Sequence, residues 1–188
     1  NFKFTEFKKD IETSINIFNE KLGYNPKFFS YPFGEYSLEQ KKYISGKFNF
    51  AFGQHSGLID INKDKYELAR FPINEKYGEI KRFNSLTKTL PFKYKKITPE
   101  EKYLLSNKNP PNVKINFYEN IKNLKSLGCY SNEGNKWKQS DIKFENDLTL
   151  IINISEKFVG ERGRINCSLR DSSGYWRWLG IQFVISER

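Results

Sequence analysis

Phe7, Ile11, Ile15, Phe18 and Leu22 recur at steps of three and four, which places one apolar stripe on a helix over residues 5–22. Gly23 supplies the stop, with Pro26 shortly beyond. Residues 27–31 read as a short buried strand that Pro32-Phe33-Gly34-Glu35-Tyr36 breaks. Ser37-Leu38-Glu39-Gln40 has the form of a capping box, so a second helix starts there and ends at Gly46. Residues 48–52 form another short apolar run, followed by the glycine-flanked loop Gly53-Gln54-His55-Ser56-Gly57.

Helix, strand, loop, helix, strand, loop is the alternation of a parallel α/β sheet or barrel, where functional groups sit in loops at the C-terminal ends of strands. Residues 70–73 add a short extended piece, and Ile80, Phe83 and Leu86 mark a helix over 75–87. The text then turns polar and proline-containing over 98–111. Beyond it the period changes to that of strands, at 113–117, 126–130, 148–154, 163–169 and 175–185. Turn signals at Asn132-Glu133-Gly134 and Ser172-Ser173-Gly174 mark hairpins. The expected organisation is an α/β unit over 1–97, a linker over 98–112 and a small antiparallel β-sandwich-like domain over 113–188.

Composition adds a core to this pattern. Phe (17) and Tyr (11) supply much of the apolar content, which excludes a disordered chain. The formal charge is +10, but the lysines are scattered singly or in pairs, so a solvated lysine face is expected rather than a nucleic-acid partner. No run approaches the roughly 20 apolar residues of a membrane span. The chain begins with Asn and has no Met, and its first segment is already a helix, so it is expected to be a piece of something longer, whose N-terminal half is missing.

The candidates for chemistry are few. His55 is the only histidine, in a loop at a strand end, and imidazole is the group best suited to move a proton near neutral pH. One histidine cannot build a two-histidine metal site, so this chain by itself is expected to hold no metal. Cys129 and Cys167 form no CxxC pair, leaving one disulfide or two buried thiols. No serine lies in a GxSxG elbow and no phosphate-binding glycine loop appears. Trp137, Tyr175, Trp176 and Trp178 suit either sugar stacking or packing in a core or domain interface, and packing is preferred.

The segment Tyr24-Asn25-Pro26-Lys27-Phe28-Phe29-Ser30-Tyr31-Pro32-Phe33-Gly34-Glu35-Tyr36 resembles the third motif of polysaccharide deacetylases, the NodB-homology enzymes of carbohydrate esterase family four. Phe50 through Gly57, Leu68 through Ile73, and the tail with Gly163 through Ser168 and Gly174-Tyr175-Trp176 are similar to later segments of one branch of that family. The resemblance implies a distorted (β/α) barrel whose C-terminal part is present here. It implies a divalent metal, zinc above all, held by upstream residues of the full-length parent. It implies hydrolysis of N-acetyl groups on an envelope or extracellular polysaccharide, with the fragment alone inactive. By position, the backbone N–H of Phe33 would face the oxyanion and His55 would be the proton donor. Tyr31, Pro32, Gly34, Glu35 and Gln54 would line the substrate. Ser30 stands where many relatives have an arginine. The family is exported or periplasmic, which would permit a Cys129–Cys167 bridge. The alternative is a carbohydrate-binding or structural β-module without catalysis.

Overall fold

The computed structural model describes residues 4–120, 123 and 126–186. The first helix, α1 (Phe4–Leu22), buries Phe7 and Ile11, two members of its apolar stripe. Helix α2 (Leu38–Ser45) begins with both halves of its capping box formed. The Ser37 hydroxyl accepts from the Gln40 amide at 3.1 Å, and the Gln40 side-chain oxygen accepts from the Ser37 amide at 2.9 Å. These helices pack on two parallel strands, β1 (Phe28–Ser30) and β2 (Phe50–Phe52), paired from Phe28↔Phe50 to Ser30↔Phe52. Phe7, Ile11, Tyr31, Tyr36, Ile44, Phe48 and Ala51 make one core of this unit. Helix α3 (Ile80–Leu86) is shorter than the periodicity suggested and buries none of its side chains.

No barrel forms. Closing one takes about eight strands paired around a ring. Here β1 and β2 form a two-stranded sheet, extended by a single bridge from Phe52 to Leu68. The segment 70–73 is not a strand. The molecule is mixed α/β with most of its regular structure in β-sheets.

The remaining strands are β3 (Leu90–Pro91), β4 (Tyr94–Thr98), β5 (Tyr103–Leu105), β6 (Val113–Phe117), β7 (Gly128–Ser131), β8 (Lys138–Gln139), β9 (Asp141–Asn146), β10 (Thr149–Asn153), β11 (Arg162–Arg170) and β12 (Trp176–Ser186). One sheet runs β4-β6-β10-β9 and the other β3-β12-β11-β7-β8, with β5 also on β12. Alternation drives their packing. Val113, Ile115 and Phe117 of β6, Leu150 and Ile152 of β10, and Ile165, Cys167 and Leu169 of β11 point into one apolar core. The sandwich recruits more of the chain than its expected limits. Strand β3 and all of β4 but Thr98 fall inside 1–97, and β5 falls inside the expected linker, where it pairs with Val184, Ile185 and Ser186. The edge strands β8 and β9 are largely polar, which hid them from a search for apolar runs.

Cys129 and Cys167 face each other across β7 and β11 with Cα atoms 4.1 Å apart, and they are joined by a disulfide. Strand β12 is the element that unites the molecule. Leu179, Ile181 and Phe183 point into the sandwich core, while Gly180, Gln182 and Val184, on the opposite face, are also buried. A strand buried on both faces has two partners, and the second is the N-terminal unit.

Candidate functional site

Both glycine-containing turns of the N-terminal unit lie at this second face. Gln182 donates through Nε2 to the carbonyl of Phe33 at 3.1 Å and of Gly34 at 3.4 Å. Arg162 pairs with Glu35 at 2.7 Å, and its guanidinium lies 5.1 Å from the Phe33 ring centre. Phe33 (φ 56°) and Gly34 (φ 71°) are both left-handed, a conformation that costs a phenylalanine and is held by these contacts. The second turn sits closer still. A Cβ on Gly180 would lie 2.2 Å from the Ser56 carbonyl oxygen, so only glycine lets the loop rest on the strand. Gly57 bridges to Leu179 beside it.

The residues of the two motifs are therefore brought together, but as parts of an interface. Tyr31 is buried, donates to the Tyr66 carbonyl at 3.1 Å and stacks 4.6 Å from Tyr36. Pro32 opens the short helical turn that ends at Gly34, and a Cβ on Gly34 would collide with the Gln54 backbone. Glu35 is engaged by Arg162 and the carbonyl of Phe33 by Gln182. The Gln54 side chain is exposed. His55 is half-buried beneath β12. Burial pushes its imidazole down to about 4, against the opposing pull of Glu67 and with help from Lys102. An imidazole lowered in this way favours its neutral form at pH 7.

Between the two units, on the side of the loop 58–67, opens a cleft of about 370 Å³. Its floor is β12 at Gly180, Ile181 and Gln182, and its walls carry Tyr36, Tyr94 and Tyr118. Five lysines line it (41, 63, 95, 96 and 102) against three carboxylates (Asp64, Glu67 and Glu100), so its sign is positive. Lys41 is held by Asp64 at 2.9 Å and Glu67 at 2.8 Å, and Tyr36 donates to Glu67 at 3.2 Å. Burial would lower the Lys41 ammonium, but these two carboxylates outweigh it and hold its pKa above the ordinary value. Lys96 is paired with Glu100 at 2.8 Å. Lys102 donates to the Pro99 carbonyl at 3.0 Å, and burial lowers its pKa.

Lys63 differs from these. Its ammonium is shielded from solvent and makes no hydrogen bond among the described residues. It lies 3.6 Å over the Tyr94 ring and 5.1 Å from that of Tyr118, and burial pulls its pKa down against a weaker pull from Asp60. Apart from Tyr36, which closes the Pro32–Tyr36 motif, none of the cleft tyrosines or lysines was singled out by the sequence motifs. One signal was present: a glycine in the interior of a long strand, Gly180, marks close approach by another backbone.

The tryptophans do not form a row. Trp178 is half-buried against Phe71, with ring centres 5.9 Å apart. Trp176 is exposed at the start of β12, and Trp137 is exposed beside β8, three strands away in the sheet order. That separation is roughly 14 Å at the usual strand spacing.

No family model matches this chain, and no curated protein matches it. Solved structures do. CopC from Methylosinus trichosporium OB3b is 12% identical with a TM-score of 0.38, over 50% of this chain and 92% of that one. PcoC, a copper resistance protein from Escherichia coli, is 14% identical with a TM-score of 0.38, over 50% of this chain and 99% of that one. A second PcoC structure gives 13% and 0.36. Likenesses this distant transfer no function.

The deacetylase assignment is corrected on these findings. Neither a family model nor a curated relative supports it, and the barrel it required is absent among the described residues. The hydrolase activity, the description as an enzyme and the zinc of a full-length parent go with it. Copper does not fit the donors present either. The chain has no Met, its one histidine is half-buried in an interface, and both cysteines are spent in the disulfide. No group of three or more His, Cys, Asp or Glu able to hold a metal occurs among the described residues. No helix among them is long and apolar enough to cross a membrane.

Proposed function

We propose that the chain is a non-catalytic glycan-binding module whose site is the cleft between the α/β unit and the sandwich. The observation that carries this is the lining. Tyr94 and Tyr118 bring aromatic rings with polar tips to the cleft, and charged donors and acceptors stand around them above a sheet floor. That combination suits a sugar, whose C–H faces stack while its hydroxyls take hydrogen bonds. The buried disulfide supports an exported protein that works in an oxidising compartment.

Isothermal titration of the whole 188-residue chain with chitotetraose, cellotetraose and tetragalacturonate tests the proposal. Binding at micromolar to low-millimolar concentration is expected for at least one, weakened about tenfold by Tyr118→Ala, which removes an exposed rim ring. Absence of heat from all three up to about 10 mM ends this reading.

A further inference from the structure

Lys63 is an anomaly for a surface loop. A lysine on an exposed loop normally keeps its ammonium in water, because an unpaired buried charge is costly. The Lys63 ammonium is instead drawn under the cleft wall, with two tyrosine faces and a weak pull from Asp60 as its described compensation. The loop is built to hold it there. The Asp60 carboxylate accepts from the Asn62 amide at 3.0 Å, the Lys63 amide bonds back to the Asp60 carbonyl at 3.0 Å, and Asp64 caps the Tyr66 amide at 2.8 Å. Asp60 is thus engaged in shaping the turn, and Asp64 is taken by Lys41, so the nearest carboxylates do not pair with Lys63. Around it the lining is net positive, and Lys95 makes no ion pair among the described residues.

We infer that the glycan taken by this cleft is acidic, carrying a carboxylate or sulfate that meets the Lys63 ammonium between the rings of Tyr94 and Tyr118. This rests on the glycan-binding reading and narrows it to a charge class. An anion at that place gives Lys63 the partner it lacks through a charge-assisted bond, and the tyrosines keep water from competing. Neighbouring Lys95 and Lys102 extend the positive field along the cleft.

The experiment is a comparison of Kd values on the whole chain for four probes of similar length: tetragalacturonate, a sulfated κ-carrageenan tetrasaccharide, chitotetraose and cellotetraose. The acidic probes are expected to bind at least about tenfold more tightly than the neutral ones, with the advantage shrinking as salt rises. Preference for tetragalacturonate identifies a carboxylate, and preference for the carrageenan probe a sulfate. Lys63→Gln is expected to bring acidic and neutral affinities within about twofold, Lys63→Arg to keep the preference, and Lys76→Gln, outside the cleft, to change nothing. Melting curves confirm that each variant is folded. Equal affinity for acidic and neutral probes in the parent chain overturns the acidic inference and leaves glycan binding standing, as does a preference that survives Lys63→Gln. Failure of all four probes to bind overturns both.

Discussion

The two faces of β12 are buried by different means. Towards the sandwich it presents Leu179, Ile181 and Phe183 to an apolar core that contains the disulfide. Towards the N-terminal unit it presents Gly180, Gln182 and Val184, and the contacts there are a glycine seat, two side-chain hydrogen bonds, an ion pair from neighbouring β11 and a part-buried histidine. Burial of hydrocarbon is indifferent to pH and tolerant of small shifts. A seat made of hydrogen bonds, charge and close backbone contact depends on both. The sandwich is therefore the stable half of the molecule, and the docking face, with the cleft beside it, is the half that conditions can open.

The largest effect falls on the apolar face. Phe183 is fully buried and packs 6.2 Å from Phe158. Phe183→Ala is expected to remove about 3–5 kcal/mol, and urea unfolding followed by circular dichroism reads it. A loss below about 1 kcal/mol would mean that this face is not the stabilising one.

Next comes the response of the docking face to acid. The His55 imidazole stands at about 4 in the folded chain against an ordinary value of 6.5. Between those values the unfolded or undocked chain binds the proton that the docked chain refuses, so stability rises with pH from 4 to 6.5 and is flat above. The span corresponds to something on the order of 3 kcal/mol. In the sandwich, burial raises the carboxyl of Glu133, but bonds from the Glu156 amide, Ser131 and Ser155 and the charge of Lys138 outweigh it, leaving its pKa below the ordinary 4.5. That group stabilises above 4.5 and is lost only at lower pH. Hydrogen exchange at pH 5 against pH 7 should thus show the turn 53–57 opening while β7 and β11 stay protected. His55→Gln should flatten the difference. Protection that falls equally in both places would erase the distinction between the faces.

What the chain revealed in advance follows the same division. The alternation in β6, β10, β11 and β12, the stripe of α1 and the Ser37–Gln40 box are local patterns, and each is present in the structure. The positions of β3, β4 and β5 were not legible, because short strands rich in Lys, Tyr and Pro gain their place from pairing with distant partners rather than from their own period. The cleft was hidden for that reason: Lys63 and Tyr94 come from segments that meet only after β4 joins the sandwich. The Pro-Phe-Gly-Glu turn and the loop around His55 stood out correctly as unusual. Their oddity records contact with β12, and short glycine-rich turns shaped for packing look the same in sequence as turns shaped for catalysis.

A smaller effect separates docking from folding. In Gly180→Ala the new methyl would meet the Ser56 carbonyl, and the cost of forcing it in is about 1–3 kcal/mol. The methyl points away from the sandwich core, since Leu179 and Ile181 on either side point into it. The expected outcome is a molecule whose β-sheet core unfolds at nearly the parent urea concentration, while limited proteolysis cuts the segment 53–70 faster and glycan affinity drops. A matching loss of core stability would show that the two faces act as one.

The smallest test addresses the N-terminal unit away from β12. Ser37 and Gln40 satisfy each other's backbone amides at the start of α2, a pair worth about 1 kcal/mol. Leu38 at the same helix start also donates to Glu101 at 3.1 Å, which ties α2 to the segment leading into β5. Ser37→Ala removes the cap and leaves that tie. If the N-terminal unit is held mainly by its own core, amide exchange should quicken by about fivefold in α2 and remain unchanged at Gly180 and Gln182. If docking on β12 is what orders the unit, the same substitution should leave α2 protected until His55 is protonated, and the two measurements taken at pH 7 and pH 5 tell these apart.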